Sequence, residues 1–444
     1  MTIPLPAGVN RRCAFIAAAV LAFIWIWVAL DRPYSFPTHI VWDVYTNSPE
    51  QLAPITDAFD FPPVDSHAIK LICEDTKWNE ELVFECNESV GGIGNIRNSI
   101  LSCVRYAISA GGAMVIPRIV VRDSSDISRI RTGEHIDMDY MFDTQHFVDS
   151  LRLSCPPLRL YASSSEIPER TQQAQDTLSL VPETLVDKVP GTGLAKPEEW
   201  RDTFYTWLEQ FKTPETKGPM VVALGRSYLQ YPIYSDGEEF ALSFGGILKL
   251  RADARRLATA TLTKLAEVHE FQFNLSAPIL QNSFFGAHLR TEKDAVEAWP
   301  APDWIYSRYE TQSKAYLEQA QHSNTSLIYV SSGDASEVAR FAVDAQAVGM
   351  RVTTKLELLA GDERSELEAL AWDQQALVDF LVMMKASDFA GIGHSSFAWN
   401  VALKRHQYAA QRDHLDGPQM LSDELSQIYG APRAYPEYAA CLWP

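Results

Sequence analysis

Phe284-Phe285-Gly286-Ala287-His288-Leu289-Arg290-Thr291-Glu292-Lys293-Asp294 is an apolar run that ends abruptly in charge. Its first part reads as a buried strand, and the seven residues from His288 onward hold one imidazole, two cations and two carboxylates. Packing gives a core strand no reason to end in Arg290 with Asp294 four residues on. A site for an anionic substrate does need a fixed guanidinium and a group that orients it. In α/β sheets such sites lie at the carboxyl ends of strands. On these residues alone, a solvated charge-rich loop is the competing reading.

Downstream, short apolar runs alternate with helical periodicity. Strands are expected at Leu327-Ile328-Tyr329-Val330, Arg351-Val352-Thr353-Thr354 and Phe389-Ala390-Gly391-Ile392-Gly393, with helices over 309–320, 336–347, 372–386 and 398–405. Such alternation predicts a parallel, doubly wound α/β sheet. Upstream, Gly91-Gly92-Ile93-Gly94-Asn95-Ile96-Arg97-Asn98 runs into the helical pattern Ile96, Ile100, Val104, Ile108, closed by Gly111-Gly112 and followed by the strand 113–117. Glycines let a backbone approach a ligand, and the first amides of the next helix favour negative charge. The loop is not the dinucleotide fingerprint, because Arg97 stands where a third glycine is required, which counts against a nicotinamide-dependent oxidoreductase. Residues 163–199 are polar and proline-containing and read as a surface insertion, and a domain boundary is expected near residue 270.

A formal charge of −19 argues against a nucleic acid or an anionic lipid surface as the main partner, since the long-range field would repel both. Cys13 to Leu30 is an unbroken apolar run behind Arg11-Arg12, with Trp25 and Trp27 toward its far end. It approaches the roughly 17–25 residues that span a bilayer and reads as a signal anchor, because Trp25, Trp27 and Val28 make a poor cleavage site. Residues 1–12 would be cytoplasmic, 13–30 transmembrane and 31–68 a stem, placing the remainder in the lumen of the Golgi or endoplasmic reticulum as a single-pass type II membrane protein. An oxidising lumen would let four of Cys73, Cys86, Cys103, Cys155 and Cys441 pair. Cys103 with Cys155 and Cys73 with Cys86 are plausible partners, though spacing does not fix connectivity. Asn87, Asn274 and Asn324 head glycosylation sequons, and no Cys/His cluster suggests a metal.

Three motifs line up in order: Gly92, Gly94 and Asn95 with Arg97, then His288-Leu289-Arg290 with Asp294, then Ser395-Ser396-Phe397 at a helix start. Together they resemble the GDP-fucose protein O-fucosyltransferase superfamily, over roughly residues 86–406. The resemblance implies a GT-B fold, with two Rossmann-like domains facing across a cleft: an acceptor-side domain over 69–270 and a nucleotide-sugar domain over 271–444. It also implies inverting, metal-independent transfer from a GDP-sugar, with no cofactor. Arg290 would bind the diphosphate and stabilise the leaving GDP, and Asp294 would hold Arg290. His288 would belong to the donor site, Asp379 would meet the nucleoside, and Ser395, Ser396 and Phe397 would hold the phosphates and pack the base. Asn95 with Arg97 would close the cleft from the first domain.

One departure concerns the general base. Some members of that superfamily carry a glutamate three residues before the loop asparagine, and that position is Gly92 in this chain. Glu292 is a weaker candidate, and a donor phosphate oxygen or a water relay is the alternative proton acceptor. The expected activity is therefore transfer of fucose, or a related sugar, to a hydroxyl of a protein or glycan. A catalytically inactive lumenal protein that binds glycan or nucleotide is the second reading.

Overall fold

The computed structural model describes residues 56–123, 129, 131–168, 177–189, 193–212, 218–225, 231–298, 305–410, 422–430 and 442–444. The expected membrane anchor, Cys13 and Cys441 lie outside the described residues, and no described helix is long and apolar enough to cross a membrane. Two five-stranded parallel sheets form the α/β framework.

The first sheet contains β1 (Asn79–Glu85), β2 (Gly112–Val115), β3 (Leu160–Tyr161), β4 (Leu178–Leu180) and β5 (Met220–Leu224), in the order β3-β2-β1-β5-β4. Leu82, Val83 and Phe84 make β1 buried on both faces, as a central parallel strand must be. Val83 lies opposite Ala113 on one side and Val221 on the other. The sequence reading missed β1, and β4 falls within the stretch read as a surface insertion, where it pairs with β5 at the sheet edge.

The second sheet contains β6 (Phe285–His288), β7 (Leu327–Ser331), β8 (Arg351–Thr353), β9 (Asp388–Ile392) and β10 (Ser426–Tyr429), in the order β8-β7-β6-β9-β10. In both sheets the first strand is central and the strand order reverses beside it. A crevice opens outside the carboxyl ends of strands at such reversals. The loop after β1 holds Gly91 to Asn95, and the loop after β6 holds Arg290.

Helix α1 (Ile93–Ala110) follows β1, and its αL cap residue Gly111 (φ 76) donates to Ala107 and Ile108. The next long helix, α2 (Ala252–His269), precedes the expected domain boundary yet packs against α3 (Trp372–Lys385) of the second half. One apolar cluster consequently runs from Phe84 and Met114 through Leu257 and Leu262 to Leu377 and Met383. The end of the expected stem is also fastened to the body: Phe59 is buried, and Asp57 accepts from Arg255 at 2.9 Å.

Four cysteines form two disulfides, but the partners differ from those expected. Cys73 pairs with Cys155 and Cys86 with Cys103, at Cα separations of 5.5 and 6.1 Å. The helix His67–Asp75 packs on the helix Thr144–Ser154, which brings Cys73 to Cys155. Cys86 just beyond β1 sits beside α1 and meets Cys103. The bridges close sequence separations of 82 and 17 residues, worth about 4.5 and 3 kcal/mol in the chain-entropy account. Of the sequon asparagines, Asn274 and Asn324 are exposed and Asn87 is half-buried.

Candidate active site

The loops after β1 and β6 open into one cavity of about 720 Å³. Gly92, Gly94, Asn95, His288, Arg290, Asp294, Asp379, Ser395, Ser396 and Phe397 all line it, although they come from positions up to about 300 residues apart. Its wall also carries the apolar side chains Val338, Ala342, Val352, Leu356 and Trp372. Charged and apolar lining therefore share one cavity, as a ligand with both a charged and a flat or apolar group requires.

Arg290 is fixed at both its root and its tip. Its amide donates to Gln312 Oε1 at 2.9 Å, and Gln312 Nε2 returns a bond to the Arg290 carbonyl at 2.9 Å. The guanidinium meets Asp294 in a fork, Nη1 to Oδ1 at 2.8 Å and Nη2 to Oδ2 at 2.6 Å, and Nη1 also donates to Glu292 Oε2 at 2.5 Å. Burial opposes the charge, but Glu292 and Asp294 outweigh it and hold the guanidinium protonated. Burial likewise works against the Asp294 carboxylate, yet Arg290 and Arg122 keep its pKa below the usual value. Glu292, the weaker candidate base, also accepts from the Gly333 amide at 2.7 Å. Both of its oxygens are thus already engaged and neither is aimed at an acceptor hydroxyl, which counts against that role.

His288 lies directly behind Arg290. It stacks on Phe397 with ring centroids 4.4 Å apart, and its Nδ1 is 3.4 Å from Ser395 Oγ. Burial, helped by the charge of Arg290, pushes its pKa down to about 3, so it is a neutral imidazole at physiological pH. Burial also pushes His394 down to about 3.

Two helices direct their N-termini at the cavity. Helix α1 starts at Ile93 with Gly92 as its cap and no capping side chain, while Ser395 caps α4 (Ser396–His406) by accepting from the Ala398 amide at 3.3 Å. Their positive ends and uncommitted amides favour an anion. The helices meet: a Cβ on Gly94 would lie 2.6 Å from the Ser396 carbonyl carbon and oxygen. Asn95 Oδ1 is buried without a hydrogen-bond partner among the described residues and belongs to a side chain on the cavity wall.

Asp379 projects from α3 and accepts from Tyr329 Oη at 2.7 Å, from Ser331 Oγ at 3.1 Å and from Lys355 Nζ. It is thus no solvated helical carboxylate but the holder of a cation on the cavity wall.

Arg97 departs from the expectation. It does not line the cavity; its guanidinium is buried and donates to Asn400 Oδ1 at 3.1 Å, the Gly245 and Pro444 carbonyls at 3.0 Å each, and the Trp443 carbonyl. Gly94 and Arg97 lie on the same side of α1, but one turn deeper along the helix that side meets α4 and the 443–444 segment instead of the cavity.

Arg122 and Lys355 are cavity residues that sequence reasoning missed. Each had the same signature as Arg290, an apolar or β-branched run that ends in a cation: Ile119-Val120-Val121-Arg122 and Val352-Thr353-Thr354-Lys355.

An α/β chain that points two helix N-termini and a fixed arginine into one cavity is an enzyme framework for an anionic, nucleotide-like substrate. The family described as GDP-fucose protein O-fucosyltransferase matches residues 82–408, so the chain belongs to that family and is a glycosyltransferase. Solved structures similar to it include POFUT1 in complex with GDP, at 12% identity and a TM-score of 0.46, covering 80% of this chain and 100% of that one. POFUT1 in complex with GDP-fucose gives 13% and 0.45, with coverage of 80% and 100%. The fucosyltransferase NodZ from Bradyrhizobium gives 13% and 0.39, with coverage of 72% and 91%. No curated protein matches the chain by sequence.

Proposed function

We propose that this glycosyltransferase moves fucose, or a closely related sugar, from a GDP-sugar to a hydroxyl of a protein or glycan, with inversion and without a metal ion. Family membership supports the donor class. The observation that carries the reading is the Arg290 guanidinium, locked at the carboxyl end of the central strand in the cavity that also receives the N-termini of α1 and α4. The fold is then the GT-B arrangement, with the donor mainly on the second half and the diphosphate at Arg290.

In that reaction the acceptor oxygen attacks the anomeric carbon as the bond to the β-phosphate oxygen breaks. Negative charge grows on the departing diphosphate, and a preorganised guanidinium stabilises it more in the transition state than in the ground state. Asp294 and Glu292 orient Arg290, and the amides at the start of α4 with Ser395 and Ser396 share the phosphate charge. Asp379 holds Lys355 beside the nucleoside, while Phe397, seated on His288, packs the base. The orphan Asn95 Oδ1 receives the acceptor hydroxyl. With both carboxylates nearest Arg290 engaged by guanidinium groups, the acceptor proton passes through a water relay to an oxygen of the leaving diphosphate.

The apolar run at 13–30, the two disulfides and the sequons support a lumenal enzyme held by a single type II anchor in the Golgi or endoplasmic reticulum membrane. Protease protection of intact microsomes reads this directly; digestion of the 56–444 portion from outside would refute it. The catalytic reading is tested by GDP release from GDP-fucose across an acceptor panel, comparing wild type with Arg290→Ala. The expected loss is about 10²–10³ in kcat. Wild-type protein that binds no GDP, or turnover unaffected by the substitution, would overturn it.

A further inference from the structure

Arg122 comes from the opposite half of the molecule and reaches the same carboxylate as Arg290. Its Nη2 donates to Asp294 Oδ2 at 3.2 Å, and its guanidinium carbon stands 5.7 Å from the centre of the Trp372 ring. The side chain is one-tenth exposed and lines the cavity. The backbone beneath it is anchored on both sides. Ile119 and Val120 pair antiparallel with Ile136 and His135, the Val121 amide donates to Glu134 at 2.9 Å, and the Val120 amide donates to Ser89 at 3.0 Å. That last bond ties the segment to the glycine loop. Gly92 leaves the approach open: a Cβ there would come no nearer than 4.0 Å to Arg122 Nη1.

Formal charge states what this arginine does. Arg290 alone, between Glu292 and Asp294, gives the phosphate end a net charge of minus one, which repels a diphosphate. Arg122 offsets that charge, although Asp373 also faces it, and the two helix N-termini add positive potential that favours anions. Its placement beside Arg290 is electrostatically unfavourable without an anion between them, and Asp294 occupies that position in the structure.

We propose that Arg122 is a second donor-diphosphate clamp, reaching across from the first half so that the leaving group is held by one guanidinium from each half of the chain. The proposal rests on the nucleotide-sugar reading given above. It assigns Arg122 to the phosphates, not to the nucleoside, and that distinction can be measured.

The experiment is isothermal titration calorimetry of the full-length chain with GDP and, separately, with guanosine, for wild type, Arg122→Lys and Arg122→Met. Loss of a charge-assisted bond predicts GDP binding about 10- to 100-fold weaker in Arg122→Met, with guanosine affinity unchanged within about twofold and Arg122→Lys between the two. Equal weakening for both ligands would reduce Arg122 to a structural contact and overturn the proposal, as would unchanged GDP affinity. If Arg122→Met does not fold, Arg122→Lys carries the same comparison, because loss of fork geometry must still weaken GDP selectively. Wild-type protein that binds neither ligand would remove the donor reading itself and this proposal with it. Wild-type binding of GDP with no selective effect of the substitutions would remove the proposal alone.

Discussion

Gly94→Ala probes whether the two helix N-termini really meet at the site. The added Cβ would lie 2.6 Å from the Ser396 carbonyl carbon and oxygen and 2.8 Å from Ser396 Oγ, where ordinary contact begins near 3.4 Å. Ser396 must therefore retreat by about 0.8 Å, and because two of the three contacts are backbone, no side-chain rotation relieves them. Such overpacking costs about 1–3 kcal/mol. Against this, alanine in the first turn of α1 gains up to about 1 kcal/mol over glycine in helix propensity. At the middle of that cost range, about 2 kcal/mol, the net is a loss of about 1 kcal/mol, whereas propensity alone predicts a gain, so the sign is decisive. A displacement of this size at the amides facing the diphosphate lowers kcat/KM for the donor by about 10²-fold. Denaturant midpoints and donor turnover measure both effects, with Gly92→Ala as the stability comparison, since its Cβ meets nothing closer than 4.0 Å. A Gly94→Ala protein as stable as wild type, or more so, would refute the contact.

Arg97→Met is expected to lower stability by about 2–4 kcal/mol, because three buried main-chain carbonyls and Asn400 lose a charged donor, while GDP affinity stays within about twofold. Unchanged stability with weakened GDP binding would return Arg97 to the donor site. His288 carries a pH dependence: its folded pKa of about 3 lies below the ordinary 6.5, so its contribution to stability is intact above about pH 6.5 and is lost as pH falls toward 3. Between pH 7 and 5 that loss is about 2 kcal/mol, and His288→Gln should show a correspondingly shallower fall in melting midpoint over the same interval. Parallel pH profiles for the two proteins would show that His288 is not held neutral.

The second sheet was readable because its inner strands are contiguous apolar or β-branched runs separated by helices of clear period. The first was not. In β1 only Leu82-Val83-Phe84 follows the charged Glu80-Glu81, and the other strand partners lie at Met114, Leu160 and Val222, so nothing local marks Asn79–Glu85 as central. β4 is three residues in a polar stretch, and its strand character comes from pairing with β5. The disulfides failed on the same ground. The four reactive side chains could be picked by type and compartment, but choosing among partners requires knowing that the helix carrying Cys73 lies on the one that ends beside Cys155.

For the site, residue type was legible and commitment was not. Arg97 and Arg290 look alike in sequence, each near a glycine or strand end, yet the acceptors of Arg97 lie 148 to 347 residues away and take four of its five N–H groups. Arg290 differs because its described bonds engage three of the five N–H groups of a guanidinium, so Asp294 and Glu292 can fix the fork and still leave donors for a ligand. This is the economical way to keep an arginine both buried and available: a carboxylate alone would neutralise it, and solvent alone would leave it unoriented. It also explains why a cavity suited to an anion carries so many carboxylates. They hold Arg290, Arg122 and Lys355 at fixed positions before the ligand arrives, so that the reorganisation a diphosphate would otherwise demand is already done when charge develops on it.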